Sequence, residues 1–249
     1  MDLQHKVIWV VGASSGIGAA VAREAQARGA QVAITARREQ ELVEVSGGAM
    51  LVLPADVTDP EAMVDCASTI ERRLGPIDVV VIGAGAWAPM DIRAWDTQAF
   101  ADTVQVNLVG TSNTIGAVLP SMLRRRTGTI AGITSPAGYR GFPTVEAYGA
   151  TKAGMLNLLE GLRAQGQQHG IHVTTIAPTA VRTRLATASR LRLPFSIDPD
   201  VAGRAICDGL ERERVEIAFP HRMALPLKLI RLTPVRAWPA LADRLTRGR

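Results

Sequence analysis

The chain is short of the residues that build disulfide frameworks and metal centres. It has two cysteines, Cys66 and Cys207, and four histidines in 249 residues. Each cysteine sits alone inside an apolar helical pattern, so two buried thiols and no disulfide are expected. His5, His169, His172 and His221 form no ligand spacing, and no metal is expected. No stretch approaches the roughly 18 to 20 uninterrupted apolar residues of a membrane span. The start, MDLQHKVIWVVG, lacks a charged leader with an apolar run and cleavage site. It turns directly into a strand pattern, and a cytoplasmic location is the expectation.

An excess of one charge is also missing from most of the chain. Residues 221–249 carry seven Lys/Arg against the single acid Asp243, while the preceding residues hold 21 basic and 22 acidic side chains. The basic character belongs to the tail, so nothing in the body calls for nucleic acid.

What is present is a rhythm. Hydrophobic residues make up 47% of the chain, enough for a sizeable core, and 23 glycines suit many tight turns. Short apolar runs alternate with longer amphipathic stretches, which predicts an α/β domain around a parallel sheet. Strands are expected at Val7–Val11, Val32–Thr35, Met50–Pro54, Val79–Ile82, Gly128–Thr134, Val173–Ile176 and Val215–Phe219, with a helix after each of the first six. Asp59 before Pro60 reads as an N-cap and a proline-started helix, closed by Leu74-Gly75-Pro76. One long helix is expected from Asp102 to Arg125, its Arg124-Arg125-Arg126 end favoured by the helix dipole. No repeat or linker divides the chain, so a single domain is expected, with 1–220 as its body. Residues 221–249 would be an extension packed on the body or on a partner subunit.

Two constellations carry chemistry. Directly after the first strand, Gly12-Ala13-Ser14-Ser15-Gly16-Ile17-Gly18 opens a helix running to about Arg28. Glycines there permit a tight turn and close approach of a pyrophosphate, which the helix N-terminus attracts. At the end of the second strand the chain reads Thr35-Ala36-Arg37-Arg38. A free ribose 2′-OH would call for a carboxylate there, whereas arginines suit a 2′-phosphate. NADP(H) is therefore favoured over NAD(H); the plainer account is that both arginines open a solvated helix, Glu39–Val45. Asp56 suits either an adenine amino group or a helix cap.

Tyr148 and Lys152 lie one helical turn apart, with Ser135 thirteen residues before the tyrosine. A phenol near its reference pKa of roughly 10 is a poor base at neutral pH, and a neighbouring ammonium favours phenolate. A serine hydroxyl can hold a substrate oxygen while the tyrosine gives or takes a proton.

With these pieces together, the chain resembles the short-chain dehydrogenase/reductase family over nearly its whole length. The likeness rests on Gly12, Gly16 and Gly18, the pair Asp56-Val57, Asn107 in VQVNLVG, Ser135 in GITSPAG, and Tyr148 with Lys152. It implies a Rossmann-like doubly wound parallel sheet of about seven strands. It implies a catalytic tetrad of Asn107, Ser135, Tyr148 and Lys152, in which Asn107 orients a relay water and Lys152 also holds the nicotinamide ribose. Further cofactor contacts are implied at Ser14, Ser15, Ile17, Ala84, Gly85, Pro178, Val181 and Thr183, and the family usually forms dimers or tetramers. Three departures stand out: Val11 for a threonine, Ile82-Gly83 where Asn-Asn is common, and Thr179 for a glycine after Pro178.

The resemblance implies an oxidoreductase interconverting a carbonyl and an alcohol, as an NADP(H)-dependent ketone, aldehyde or oxoacyl reductase. The alternatives are an NAD-dependent alcohol dehydrogenase of the same family, or a nucleotide-sensing module. Residues 182–197 lack periodicity and read as a flap. Its leucines, with Phe195 and four arginines, would face Trp87, Pro89, Met90 and Trp95 across a pocket for a lipophilic small molecule. The same residues could instead pack on the body. The tail interleaves leucines with its cations, which suits an anionic membrane surface, but Pro226, Pro234 and Pro239 break it up. Packing over a neighbouring subunit or over the active site is the favoured account.

Overall fold

The computed structural model describes residues 1–184, 186, 196–220 and 226–247. Seven strands form one parallel sheet: β1 (Val7–Val11), β2 (Gln31–Thr35), β3 (Leu51–Val52), β4 (Val79–Ile82), β5 (Gly128–Ile133), β6 (Ile171–Pro178) and β7 (Glu216–Phe219). Their spatial order is β3-β2-β1-β4-β5-β6-β7. All seven expected strands occur. The third is shorter than the Met50–Pro54 expected, because it is an edge strand pairing only with β2 and runs into Pro54, which has no N–H to give.

Every residue of β1 is buried, as a strand covered on both faces requires. Alternate residues serve different layers. Ile8 and Val10 pack with α1 (Gly16–Ala27) and the helix Pro199–Glu211, whereas Trp9 and Val11 pack with Met63, Ile70, Val118 and Met122 on the opposite face. The first layer is tight. A Cβ added to Gly203 would lie 2.8 Å from the Ala20 carbonyl oxygen. Both cysteines are buried in these layers, and burial pushes the Cys207 thiol up to about 12.

After β4 the chain forms α4 (Thr97–Val104), a π-helical turn (Gln105–Val109) and α5 (Gly110–Arg125) without a break. This is the long helix expected, begun earlier than Asp102 because Asp96 caps it, accepting from the Ala99 N–H at 2.9 Å. At its far end Arg125 donates to the Ile77 carbonyl and Arg126 to that of Gln168. Asp59 caps α3 (Pro60–Arg73) through the N–H groups of Glu61 and Ala62.

Strand order reverses between β1 and β4, whose helices leave on opposite faces. Such a reversal opens a crevice beyond the carboxyl ends of the strands. Among the described residues no helix is long and apolar enough to cross a membrane.

Candidate active site

A cavity of about 400 Å³ fills that crevice. Its floor is the turn after β1. Gly12 has φ +85, and a Cβ there would meet the Ala84 nitrogen at 2.3 Å; one on Gly18 would meet the Gly12 carbonyl oxygen at 2.3 Å. Only glycine fits either place. The turn leads into α1, whose cap residue Ser15 makes no side-chain capping bond and whose first turn holds no acid. Unpaired N–H groups at a helix start, at the base of a crevice, suit a pyrophosphate. The residues present fit a dinucleotide.

At one end of the cavity stand Arg37 and Arg38, both exposed. Arg38 donates to the Ser14 hydroxyl at 3.0 Å and pairs with Glu41 at 2.7 Å. Glu41 also receives Arg184 through two bonds, of 3.0 and 3.1 Å, and these cations hold its carboxyl below the usual range. Asp56 lines the cavity but caps no helix. Its Oδ1 accepts from both the N–H and the hydroxyl of Thr58, while Oδ2 lies 3.8 Å from Arg37.

At the other end, Ser135, Tyr148 and Lys152 come together. Ser135 lies just beyond β5 and caps a short turn, its hydroxyl accepting from the Ala137 N–H at 3.2 Å. Tyr148 and Lys152 lie near the start of α6 (Glu146–Gly166). The two pieces touch backbone to backbone: a Cβ on Gly138 would lie 2.6 Å from the Lys152 carbonyl carbon, and one on Gly149 3.1 Å from the Ala137 oxygen. These two glycines bring the serine to the tyrosine. Sequence reading passed over both, since nothing local marks a glycine needed for a distant neighbour.

The electrostatics differ from expectation. Burial raises the Tyr148 phenol above its ordinary value, and a hydrogen bond with Ser135 pulls it partly back. The Lys152 ammonium is not turned on the hydroxyl. It donates to the Ile133 carbonyl at 2.8 Å and contacts the Met155 sulfur at 3.4 Å, lying 5.6 Å from the centre of the tyrosine ring. Lys152 is 4% exposed, and this burial lowers it to about 8. Desolvation outweighs the attraction that the spacing suggested.

The cavity gathers the glycine turn, Arg37, Arg38, Asp56, Val57, Ala84, Gly85, Pro178, Val181 and Thr183 with the Ser-Tyr-Lys set. Asn107 is the exception. It sits in the π turn, where its amide exchanges bonds with Ala86 (2.7 Å from its N–H, 3.0 Å to its oxygen) and donates to the Thr151 hydroxyl at 3.0 Å. That set satisfies the amide without a place in the cavity.

Residues 6–193 match the family described as short chain dehydrogenase. The chain belongs to this family. This short-chain dehydrogenase is an oxidoreductase that uses NAD(P). It is 34% identical to an uncharacterized oxidoreductase of Staphylococcus saprophyticus, over 83% of this chain and 92% of the relative. Among solved structures, a short-chain dehydrogenase from Streptomyces avermitilis is 30% identical, covers 98% of this chain and 97% of its own, and has a TM-score of 0.83. One from Burkholderia cenocepacia, in complex with NADP, is 26% identical with 99% of each chain covered and a TM-score of 0.84. One from Burkholderia phymatum, in complex with NAD, is 18% identical, covers 92% and 94%, and has a TM-score of 0.85; it shares the fold.

The dehydrogenase's departures from its family pattern are accommodated. A side chain at Gly83 would meet Ile133 Cδ1 at 2.9 Å, so Ile133 fills space that a larger residue there would need. The Thr179 hydroxyl and N–H both donate to the Phe219 carbonyl, tying β6 to β7. Of the four residues expected after β4, only Trp87 reaches the cavity. Met90 is buried elsewhere, Pro89 is not in the wall, and Trp95 stacks on Phe100 with half its surface exposed. Phe142, Pro143 and Leu227 also line the cavity: the first two were not expected there, while Leu227 belongs to the tail, for which packing over the active site was one expectation. Of the flap, Leu185 and 187–195 lie outside the described residues. Its roots do not: Val181 bridges Ile197, and Arg182 pairs with Asp198.

Proposed function

We propose that this dehydrogenase reduces the carbonyl of an apolar small molecule with NADPH, using Ser135, Tyr148 and Lys152. The observation that carries the reading is that these three side chains share one cavity with the glycine turn and the two arginines. When bound, the dinucleotide supplies the hydride. The protein's part is position and polarity. Tyr148, kept protonated at neutral pH by burial, is the proton donor to the carbonyl oxygen. Ser135 donates a second hydrogen bond to that oxygen and so stabilises the charge it gains. Lys152 holds the ribose next to the reacting ring and maintains a positive field beneath the tyrosine. Asn107 acts on this set indirectly, by fixing Thr151 and the backbone at Ala86.

The preference for NADP(H) rests on Arg37 and Arg38, whose guanidinium groups suit a 2′-phosphate better than a hydroxyl. The cavity surface around Trp87, Phe142, Pro143 and Leu227 favours an apolar substrate. One observation favours the other cofactor. Glu41 and Asp56 stand beside the two arginines and partly neutralise them, as an NAD(H) enzyme would tolerate.

Fluorescence titration with NADPH and with NADH, followed by an assay of ketone-dependent NADPH oxidation, tests the reading. Tighter NADPH binding and turnover of an apolar ketone support it. Preference for NADH moves the assignment to alcohol oxidation, and binding of neither nucleotide defeats it.

A further inference from the structure

The basic tail grips one stretch of the body, residues 139–142, through several of its side chains. The Trp238 ring meets Phe142 edge-on, with centroids 5.1 Å apart and planes at 81°. Its indole N–H donates to the Gly141 carbonyl at 2.6 Å. Arg140 places its guanidinium over the same indole, 5.4 Å from the centroid, and donates to the Thr233 carbonyl at 2.5 Å. Arg231 lies over the Tyr139 ring at 5.3 Å. A further anchor lies nearby, where Lys228 pairs with Glu216, which the Tyr139 hydroxyl also approaches at 3.5 Å. Burial, the neighbouring Glu216 and that contact push the Tyr139 phenol up to about 12, with Arg231 opposing.

The stretch so gripped is the one that needs it. Residues 139–145 join the Ser135 turn to α6 without regular structure. Tyr139, Thr144 and Val145 at its two ends are tied to Pro136, Met90, Glu146 and Gly149, whereas Phe142 between them has one described backbone bond, its oxygen accepting from Val145 N–H at 3.4 Å. Phe142 and Pro143 nonetheless form part of the cavity wall beside Tyr148, and the tail adds Leu227 to that wall. A single long bond at Phe142 leaves its ring to be placed by what packs against it. The tail supplies what is missing.

We infer that the tail is the outer wall of the substrate pocket, and that Trp238 is a positioning residue which acts through Phe142 to set the size of carbonyl compound accepted. The substrate class this implies is apolar ketones whose bulk lies on the Phe142 side, selected by length. The inference rests on the carbonyl-reductase reading above for its substrate, but the bracing of Phe142 stands apart from it.

The test uses the full chain with saturating NADPH and the variants Trp238→Ala and Trp238→Phe. Hydrogen exchange reads the bracing directly: backbone amides of 139–145 exchange faster in Trp238→Ala, while those of 12–18 are unchanged. A series of methyl ketones of increasing chain length reads the pocket. In Trp238→Ala the kcat/KM ratio of the longest to the shortest ketone rises by roughly three- to tenfold, the scale of a lost aromatic pair. The change lies in KM and not in kcat, and NADPH affinity is retained. Trp238→Phe, which keeps the edge contact and loses the N–H, recovers most of the wild-type length preference. Unchanged exchange in 139–145, or an unchanged length preference in a Trp238→Ala enzyme that still turns over ketones, overturns the inference. If the wild type reduces no ketone the functional reading fails, and hydrogen exchange alone then decides the bracing.

Discussion

The Lys152 ammonium reaches the Ile133 carbonyl oxygen at 2.8 Å and lies 5.6 Å from the centre of the Tyr148 ring. A buried cation with one carbonyl and a sulfur for partners gives up its proton easily, hence its fall from 10.5 to about 8. Between those values the unfolded chain carries a proton on this lysine that the folded chain has released, so stability rises with pH through that window. The depressed lysine thus weighs against the fold below pH 8, and the penalty fades towards pH 10.5. Denaturant unfolding of wild type and Lys152→Met, measured from pH 8 to pH 10, should show the wild type gaining about 2 kcal/mol on the variant. Parallel curves would mean the ammonium is not desolvated.

Tyr148 is placed by the same helix turn but plays the opposite electrostatic part. Burial keeps its proton on, which suits a donor. Tyr148→Phe removes the proton and retains the ring, so ketone reduction should fall by roughly 10²- to 10⁴-fold with NADPH affinity unaffected. Stopped-flow single turnovers would separate the chemical step from binding. A variant that kept the wild-type rate would remove the tyrosine from the mechanism.

The arginines make a sharper test as a pair than singly. Arg38 is shared between Ser14 and Glu41, whereas among the described residues Arg37 makes a 3.8 Å contact with Asp56. Charge-assisted bonds to a phosphate are strong enough that Arg37→Ala with Arg38→Ala should weaken NADPH by roughly 10- to 100-fold. NADH should change less than threefold or so, since it lacks the phosphate those bonds would hold. Equal losses for both nucleotides would make the arginines general surface charges.

Much of this architecture was legible because it follows from local rules. Alternating apolar runs gave the seven strands, and Asp59-Pro60 gave a helix start to the residue. The glycine turn is a short stretch of the same local kind, whereas Ser135, Tyr148 and Lys152 are brought together by the close approach of Gly138 and Gly149 to their neighbours. What local rules leave open depends on distant partners. The motif around Asn107 gives no sign that its amide bonds to Ala86 and Thr151. The spacing of Tyr148 and Lys152 gave their shared helix face, but Ile133, nineteen residues before the lysine, decides where the ammonium points. Phe142 carried no signal, and for Leu227 the interleaved leucines of the tail left its partner open between the active site and a neighbouring subunit, since both places depend on how the tail folds back.

Gly138 is the clearest case of a residue whose importance is invisible locally. It follows Ser135 by one short turn, and its missing side chain lets that turn rest on the backbone of α6 at Lys152, 2.6 Å from where a Cβ would be. Backbone cannot swing aside as a side chain can, so in Gly138→Ala either the turn or the helix must shift. Overpacking of this kind destabilises by roughly 1–3 kcal/mol. The larger effect should be on rate, because displacing Ser135 from Tyr148 by about an ångström loses on the order of 100-fold in turnover. Gly161, in the same helix with nothing within 4 Å of an added Cβ, provides the contrast. Gly161→Ala should stabilise the protein by roughly 0.5–1 kcal/mol and leave kcat alone. Thermal unfolding and ketone turnover on the two variants read both effects. If Gly138→Ala matches Gly161→Ala in rate, the close approach of turn and helix does not set the geometry of the site.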